Sequence, residues 1–185
     1  IRPDKSGLEV ITFRERNNQS IGAMENGSFI RGYTYKEKDF KNVINIDENT
    51  EAWWNDVQSG AAETHWHKIT QQSNVKKSDD DRRIEAVKTQ IYSTAENTGS
   101  MTRPDDSEFN EKNRRTVDEN FYWNDGWQSF IIDEKTEKST GEKVAVLKDF
   151  GTSPYVLTGD EFDKYRILRE DGSIGIVNYD ELSAI

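Results

Sequence analysis

Two histidines and a glutamate alternate within five residues, Glu63-Thr64-His65-Trp66-His67. On a β-strand, side chains two positions apart leave the same face. Glu63, His65 and His67 could therefore converge as two imidazoles and a carboxylate, a donor set that suits a divalent transition metal. The competing reading is a pair of half-buried histidines beside Trp66 on a strand. These are the chain's only histidines, and cysteine is absent, so thiolate ligands, thiol catalysis and disulfides are excluded. Glu63, His65 and His67 stand as weak metal candidates, no metal is assigned to them, and no cofactor is implied.

The His-x-His after Gly60 resembles the first motif of metal-binding cupins. It departs from that family where a glutamate should follow, since Gln71 and Gln72 stand there, and no third histidine occurs. Glycan hydrolysis would need two carboxylates across a cleft, and Trp53, Trp54, Trp123 and Trp127 could floor a sugar groove. Nothing singles out one pair among 35 acidic residues. Asp79-Asp80-Asp81 reads as helix capping and Asp105-Asp106 as solvated linker. Serine lacks a Gly-x-Ser-x-Gly setting, and the glycines at 22, 27 and 32 form no phosphate loop.

A repeated phrase is a second constellation. Residues 46–56 run Ile-Asp-Glu-Asn-Thr-Glu-Ala-Trp-Trp-Asn-Asp, residues 117–125 run Val-Asp-Glu-Asn-Phe-Tyr-Trp-Asn-Asp, and both continue to Gln-Ser. Large aromatics anchor cores and interfaces, so Trp53, Trp54, Tyr122, Trp123 and Trp127 are the candidate binding residues. Duplication of one unit is a hypothesis that the conformations of the two segments test.

The elements that must position these residues are mostly β-like. Leu8–Phe13 has strand composition, and Asn26-Gly27 between apolar flanks predicts a hairpin within residues 21–35. Lys36–Ile46 reads as a short helix. Thr64–Thr70 alternates as a strand, with His65, His67 and Ile69 on one side and Trp66 and Lys68 on the other. Ser78, with Asp79–Asp81 in the first turn, predicts a helix carrying Ile84, Val87, Lys88, Ile91 and Tyr92 on one stripe. Residues 97–116 hold only Met101 and Phe109 as apolar side chains and read as a linker or arm. Phe121–Ile132 reads as a hairpin whose loop, Asn124-Asp125-Gly126, sets Trp123 opposite Trp127. Residues 133–143 form a charged loop, and Val144–Phe150, Tyr155–Thr158, Tyr165–Arg169 and Ser173–Val177 are strand candidates.

The expected fold class is α+β and β-rich: small antiparallel sheets or a barrel-like meander, one or two short helices and long polar connections. The expected division is an N-terminal mixed unit at 1–96, an arm at 97–116 and an all-β unit at 117–185. Ala145–Phe150 and Gly172–Tyr179 resemble the opening and closing strands of an SH3-like barrel. The resemblance implies a small twisted barrel and carries no ligand with it, because the tryptophan pair and acidic loop of peptide-binding members are missing.

Composition narrows the function. A hydrophobic fraction of 32%, with charged residues also at 32%, leaves a small core for 185 residues. The net charge is −10, and residues 133–185 alone hold 12 acidic and 7 basic side chains. Lys76-Lys77, Arg82-Arg83 and Arg114-Arg115 are each diluted by acids, so direct nucleic-acid binding is not expected. No apolar run reaches the ~20 residues of a membrane helix, and no signal peptide is visible. A start at Ile1 fits a processed product or a fragment. A cysteine-free chain suits a particle interior, the cytoplasm or a bridge-free secreted protein. The leading expectation is a non-catalytic structural or interaction subunit of a larger assembly, such as a virion or other multi-protein particle, whose partners are other protein subunits. The alternatives are an acidic inhibitor or decoy for a basic site, and a small metal-dependent or glycan-acting enzyme using Glu63, His65 and His67. No small-molecule ligand is indicated.

Overall fold

The computed structural model describes residues 1, 3, 9–21, 23–36, 38–55, 65–96, 102–151 and 163–185, with backbone alone at 17–21, 23–26 and 36. These residues build two antiparallel sheets. The first is a seven-stranded meander in sequence order: β1 (Val10–Ile21), β2 (Ala23–Lys36), β3 (Asp39–Asn55), β4 (His65–Lys77), β5 (Arg83–Glu96), β6 (Asn110–Asn124) and β7 (Ser129–Ile131). The second contains β8 (Asp133–Glu137), β9 (Lys143–Asp149), β10 (Lys164–Arg169), β11 (Ile174–Asn178) and β12 (Leu182–Ala184), in the order β11-β10-β9-β8-β12. The fold is therefore β-rich, with helix among the described residues confined to 3₁₀ turns such as Asp106–Glu108 and Tyr179–Glu181. No helix of the described residues is long and apolar enough to cross a membrane.

The first sheet curls. Opposite β2, Asp47 and Asn49 of β3 pair with Phe29 and Ser28, leaving Glu48 as an extra residue, and Val43 is likewise extra between Asn42 and Ile44. Such bulges sharpen the local twist and bend a strand. The curl brings β7 back toward β3, where the buried Ser129 hydroxyl donates to the Val43 carbonyl at 3.0 Å. Inside lie Val10, Val43, Ile44, Ile46, Ile84, Ala86, Phe121, Trp123 and Phe130, all buried. Strand β3 pairs with β4 only over Asn49–Asn55, so beyond that point the two diverge around a cleft of about 910 Å³. Ile30, Ile44, Ile46, Val75 and Ile84 line it.

The second sheet packs on the first through Ile131, Ala145 and Leu168. Charges cross the same junction. Lys88 pairs with Glu119 at 2.6 Å, both nearly fully buried, and its ammonium also reaches the Asp149 carbonyl at 3.4 Å. Lys148 of β9 bonds Asp47 of β3. Burial pushes the Glu119 carboxyl above the usual range, against the pull of Lys88.

Several expectations are overturned. The stretch from Ser78 is no helix: residues 78–82 form the β4–β5 turn, with the Ser78 hydroxyl donating to Asp80 at 2.6 Å and the Ser78 amide donating to the Arg83 carbonyl at 2.9 Å. Lys36–Ile46 is likewise strand around the β2–β3 turn, and Asn26-Gly27 lies inside β2, paired with Glu51 and Thr50. Residues 110–116 of the predicted arm belong to β6 and pair with β5. Residues 133–137 of the predicted charged loop are strand β8. The hairpin at 121–132 exists, but its loop is Asp125–Gln128 with Gln128 at positive φ, so Trp123 pairs with Phe130 rather than Trp127. The stretches matched to the opening and closing strands of an SH3-like barrel are the second and fourth of five strands, because β8 precedes them and β12 pairs back onto β8. Tyr155–Thr158 lies outside the described residues.

Candidate functional site

Strands β1 and β2 pair with Ile11 opposite Tyr33 and Phe13 opposite Arg31. Alternation sends Val10 and Thr34 into the core, each 3% exposed, and leaves Ile11, Phe13, Tyr33 and Tyr35 on the other face. Gly32 sits on the core side, where a Cβ would lie 2.7 Å from Ile44 Cγ2 and 2.9 Å from Val10 Cγ1. The missing side chain thus seats the hairpin on the core. On the outward face the rings of Phe13 and Tyr33 stack at 5.3 Å with only 4° between planes. Tyr35 and its cross-strand partner Phe40 lie 5.0 Å apart. Ile11, Phe13, Tyr35 and Phe40 are 57%, 49%, 58% and 61% exposed. Arg31 pairs with Glu15 at 3.1 Å beside this patch, and Arg14 with Glu48 at 2.8 Å on the opposite face.

The residues expected from the sequence lie elsewhere and do not form one site. Trp123 is in the core, its ring edge-on to Phe130 at 5.4 Å and its indole N–H bonded to Asp125 at 2.9 Å. Trp127 packs under the second sheet and donates to Glu134 at 2.7 Å. Tyr122 is exposed on β6. Trp53 lies under the Arg103 guanidinium, 4.7 Å from the ring centroid, and Arg103 also covers Phe109 at 5.4 Å. Asp106 holds this stack by bonding Lys68 at 2.9 Å and Arg103 at 2.5 Å. Those two cations, Lys68 first, keep its carboxyl below the usual range.

Trp54 stacks on His67 at 5.3 Å, and the His67 ring lies nearly parallel to Tyr92, with Nδ1 2.8 Å from the tyrosine hydroxyl. His65 and His67 do share a face, their ring centroids 6.4 Å apart. Glu63 lies outside the described residues. Among the described residues no three His, Asp or Glu side chains are grouped as metal ligands. Both repeated phrases end strands, at Asn55 of β3 and Asn124 of β6. Their tryptophans have different surroundings.

Sequence reasoning missed the β1–β3 aromatic face. Its signal was available in Ile11-x-Phe13 and Tyr33-x-Tyr35, which alternate with period two. Alternation names a face without saying which face is buried.

Comparison with known proteins returns no match: no family model, no curated protein and no solved structure is similar to this chain.

Proposed function

We propose that this chain is a non-catalytic interaction subunit of a protein assembly and that the outward face of β1–β3 is its docking surface. The observation that carries this reading is the stacked Phe13–Tyr33 pair and the tilted Tyr35–Phe40 pair, set side by side on a sheet with Phe13, Tyr35 and Phe40 left open to water. Exposed apolar patches of this kind mark interaction sites, and aromatics are enriched where interfaces concentrate their energy. The cross-strand ring contacts fix the side chains before binding, which lowers the entropy lost on association.

Photo-cross-linking tests it. A p-benzoylphenylalanine placed at Tyr35 or Phe40, in cells that make the protein, is expected to give a discrete protein adduct identifiable by its peptides. The same group at the exposed loop residue Thr140 serves as control. Equal labelling at all three positions, or none at Tyr35 and Phe40, overturns the reading.

A further inference from the structure

Between β5 and β6 the chain runs back over the first sheet through residues 102–109, Thr-Arg-Pro-Asp-Asp-Ser-Glu-Phe. None of these side chains is buried, and only Arg103, Pro104 and Phe109 are half-buried. Among the described residues the segment's backbone-to-backbone hydrogen bonds are internal. The Glu108 amide donates to the Asp105 carbonyl at 3.0 Å and the Phe109 amide to the Asp106 carbonyl at 3.4 Å. Charged side chains tie the segment to the sheet. The Arg103 guanidinium lies 4.7 Å from the Trp53 ring centroid on β3 and pairs with Glu51 of the same strand at 3.3 Å. Asp106 pairs with Lys68 of β4 at 2.9 Å, and Arg103 and Lys68 both lie over the Phe109 ring.

Such ties are weak and sensitive to ions. The Asp106 side chain is 69% exposed, and those of Arg103 and Glu51 are 26% and 32% exposed. Ion pairs open to water contribute little and are screened by salt. Phe109 is the one large apolar side chain in the segment, so little apolar burial holds it down. A region with few buried apolar contacts, its backbone not laddered to its neighbours, opens before the rest of a fold. The strand that follows supplies a hinge. Residues 110–114 at the start of β6 are exposed, and Lys112 is an extra residue between the pairs Tyr92–Asn113 and Ser93–Glu111. A bulge of that kind interrupts the ladder and bends the strand.

We infer that residues 102–109 are a strap with two states: closed on Trp53 while its charges attract, and detached at high ionic strength while the sheet beneath stays folded. Opening lifts Arg103 from the indole and releases Glu51 and Lys68. One aromatic face and two opposite charges, satisfied internally by the closed strap, then come to face water. The device stands apart from the docking-surface reading and survives its failure.

Fluorine NMR of the chain labelled with 5-fluorotryptophan tests it. The resonance lost in Trp53→Phe identifies the reporter, and its shift between water and heavy water, which grows with exposure of the ring, is the readout. Raising sodium chloride from about 0.01 to about 1 M shortens the screening length from ~30 to ~3 Å. That change is expected to expose Trp53 while the resonances of Trp123 and Trp127 keep their places. Asp106→Asn weakens the strap without altering the cation on Trp53, and it should move the midpoint of the salt titration to lower salt. Arg103→Gln should leave Trp53 exposed at every salt concentration. A Trp53 resonance indifferent to salt and to Asp106→Asn overturns the inference. So does one that moves only together with those of Trp123 and Trp127, because the sheet itself is then opening.

Discussion

Lys88 and Glu119 face each other on neighbouring strands with almost no access to water. Removing one partner of such a pair strands the other charge, at a cost of about 3–5 kcal/mol, whereas apolar replacement of both is often neutral or favourable. Glu119→Gln should therefore lower the urea midpoint sharply, and Lys88→Met with Glu119→Leu should recover most of the loss. Tyr179 offers a second measurement at this scale. Burial, then its hydrogen bond to Asp149, holds the phenol protonated well above the usual tyrosine value of 10.0. A raised pKa in the folded state means stability intact below that ordinary value and lost as pH climbs past it. The alkaline limb of the stability curve should flatten in Tyr179→Phe, and absorbance titration of the phenolates should lose its latest-titrating tyrosine in that variant. The same buried lysine explains the misread strand. Ile84, Ala86, Lys88 and Gln90 point inward while Val87 is exposed, so the apolar residues of β5 fall at helical spacing although the burial alternates.

At the scale of elements, strand content and several boundaries were legible. Alternation or β-branched composition predicts strands over 64–70, 144–150 and 165–169, and the structure has β4 from His65, β9 through Asp149 and β10 through Arg169. Turn chemistry was less decisive. A serine followed by aspartates supplies side-chain oxygens to nearby backbone N–H groups, and that satisfies a helix start or a tight turn equally well. Ser78–Asp81 became the turn, with Asp81 at φ 59°. Val43 and Ile44 are consecutive and both buried because a bulge separates them, a pattern that plain strand periodicity does not produce. The exposure of the aromatic face, by contrast, is not legible in its period-two alternation, since it depends on which side of the hairpin Gly32 presses to the core. Gly32→Ala should cost about 1–3 kcal/mol by overpacking, read as a lower thermal midpoint.

Across the whole molecule the two sheets share one packed junction. All five tryptophans lie in the first sheet or its β6–β7 turn, and Leu168 belongs to β10 of the second, 4% exposed. Leu168→Ala removes buried volume worth about 2–5 kcal/mol. If the sheets unfold as one unit, tryptophan fluorescence will report that loss as a lowered midpoint; an unmoved midpoint would mean that the second sheet melts alone. What the sequence conveyed at this scale was a β-rich chain of antiparallel sheets. Strand order was not legible, because β7 meets β3 and β12 meets β8 across long separations that local patterns do not encode.

The extra residue Glu48 has a consequence for changes in chain length. Deleting a residue from a regularly paired stretch of β3, such as Thr50, exchanges the two faces for every position on one side of the cut. Deleting Glu48 removes the surplus instead, so Asp47 and Asn49 keep their partners on β2 and every side chain keeps its side. What changes is curvature, and with it the width of the cleft between β3 and β4, together with the loss of the Arg14–Glu48 ion pair. At this position an in-frame loss of a single codon reshapes the molecule without scrambling it.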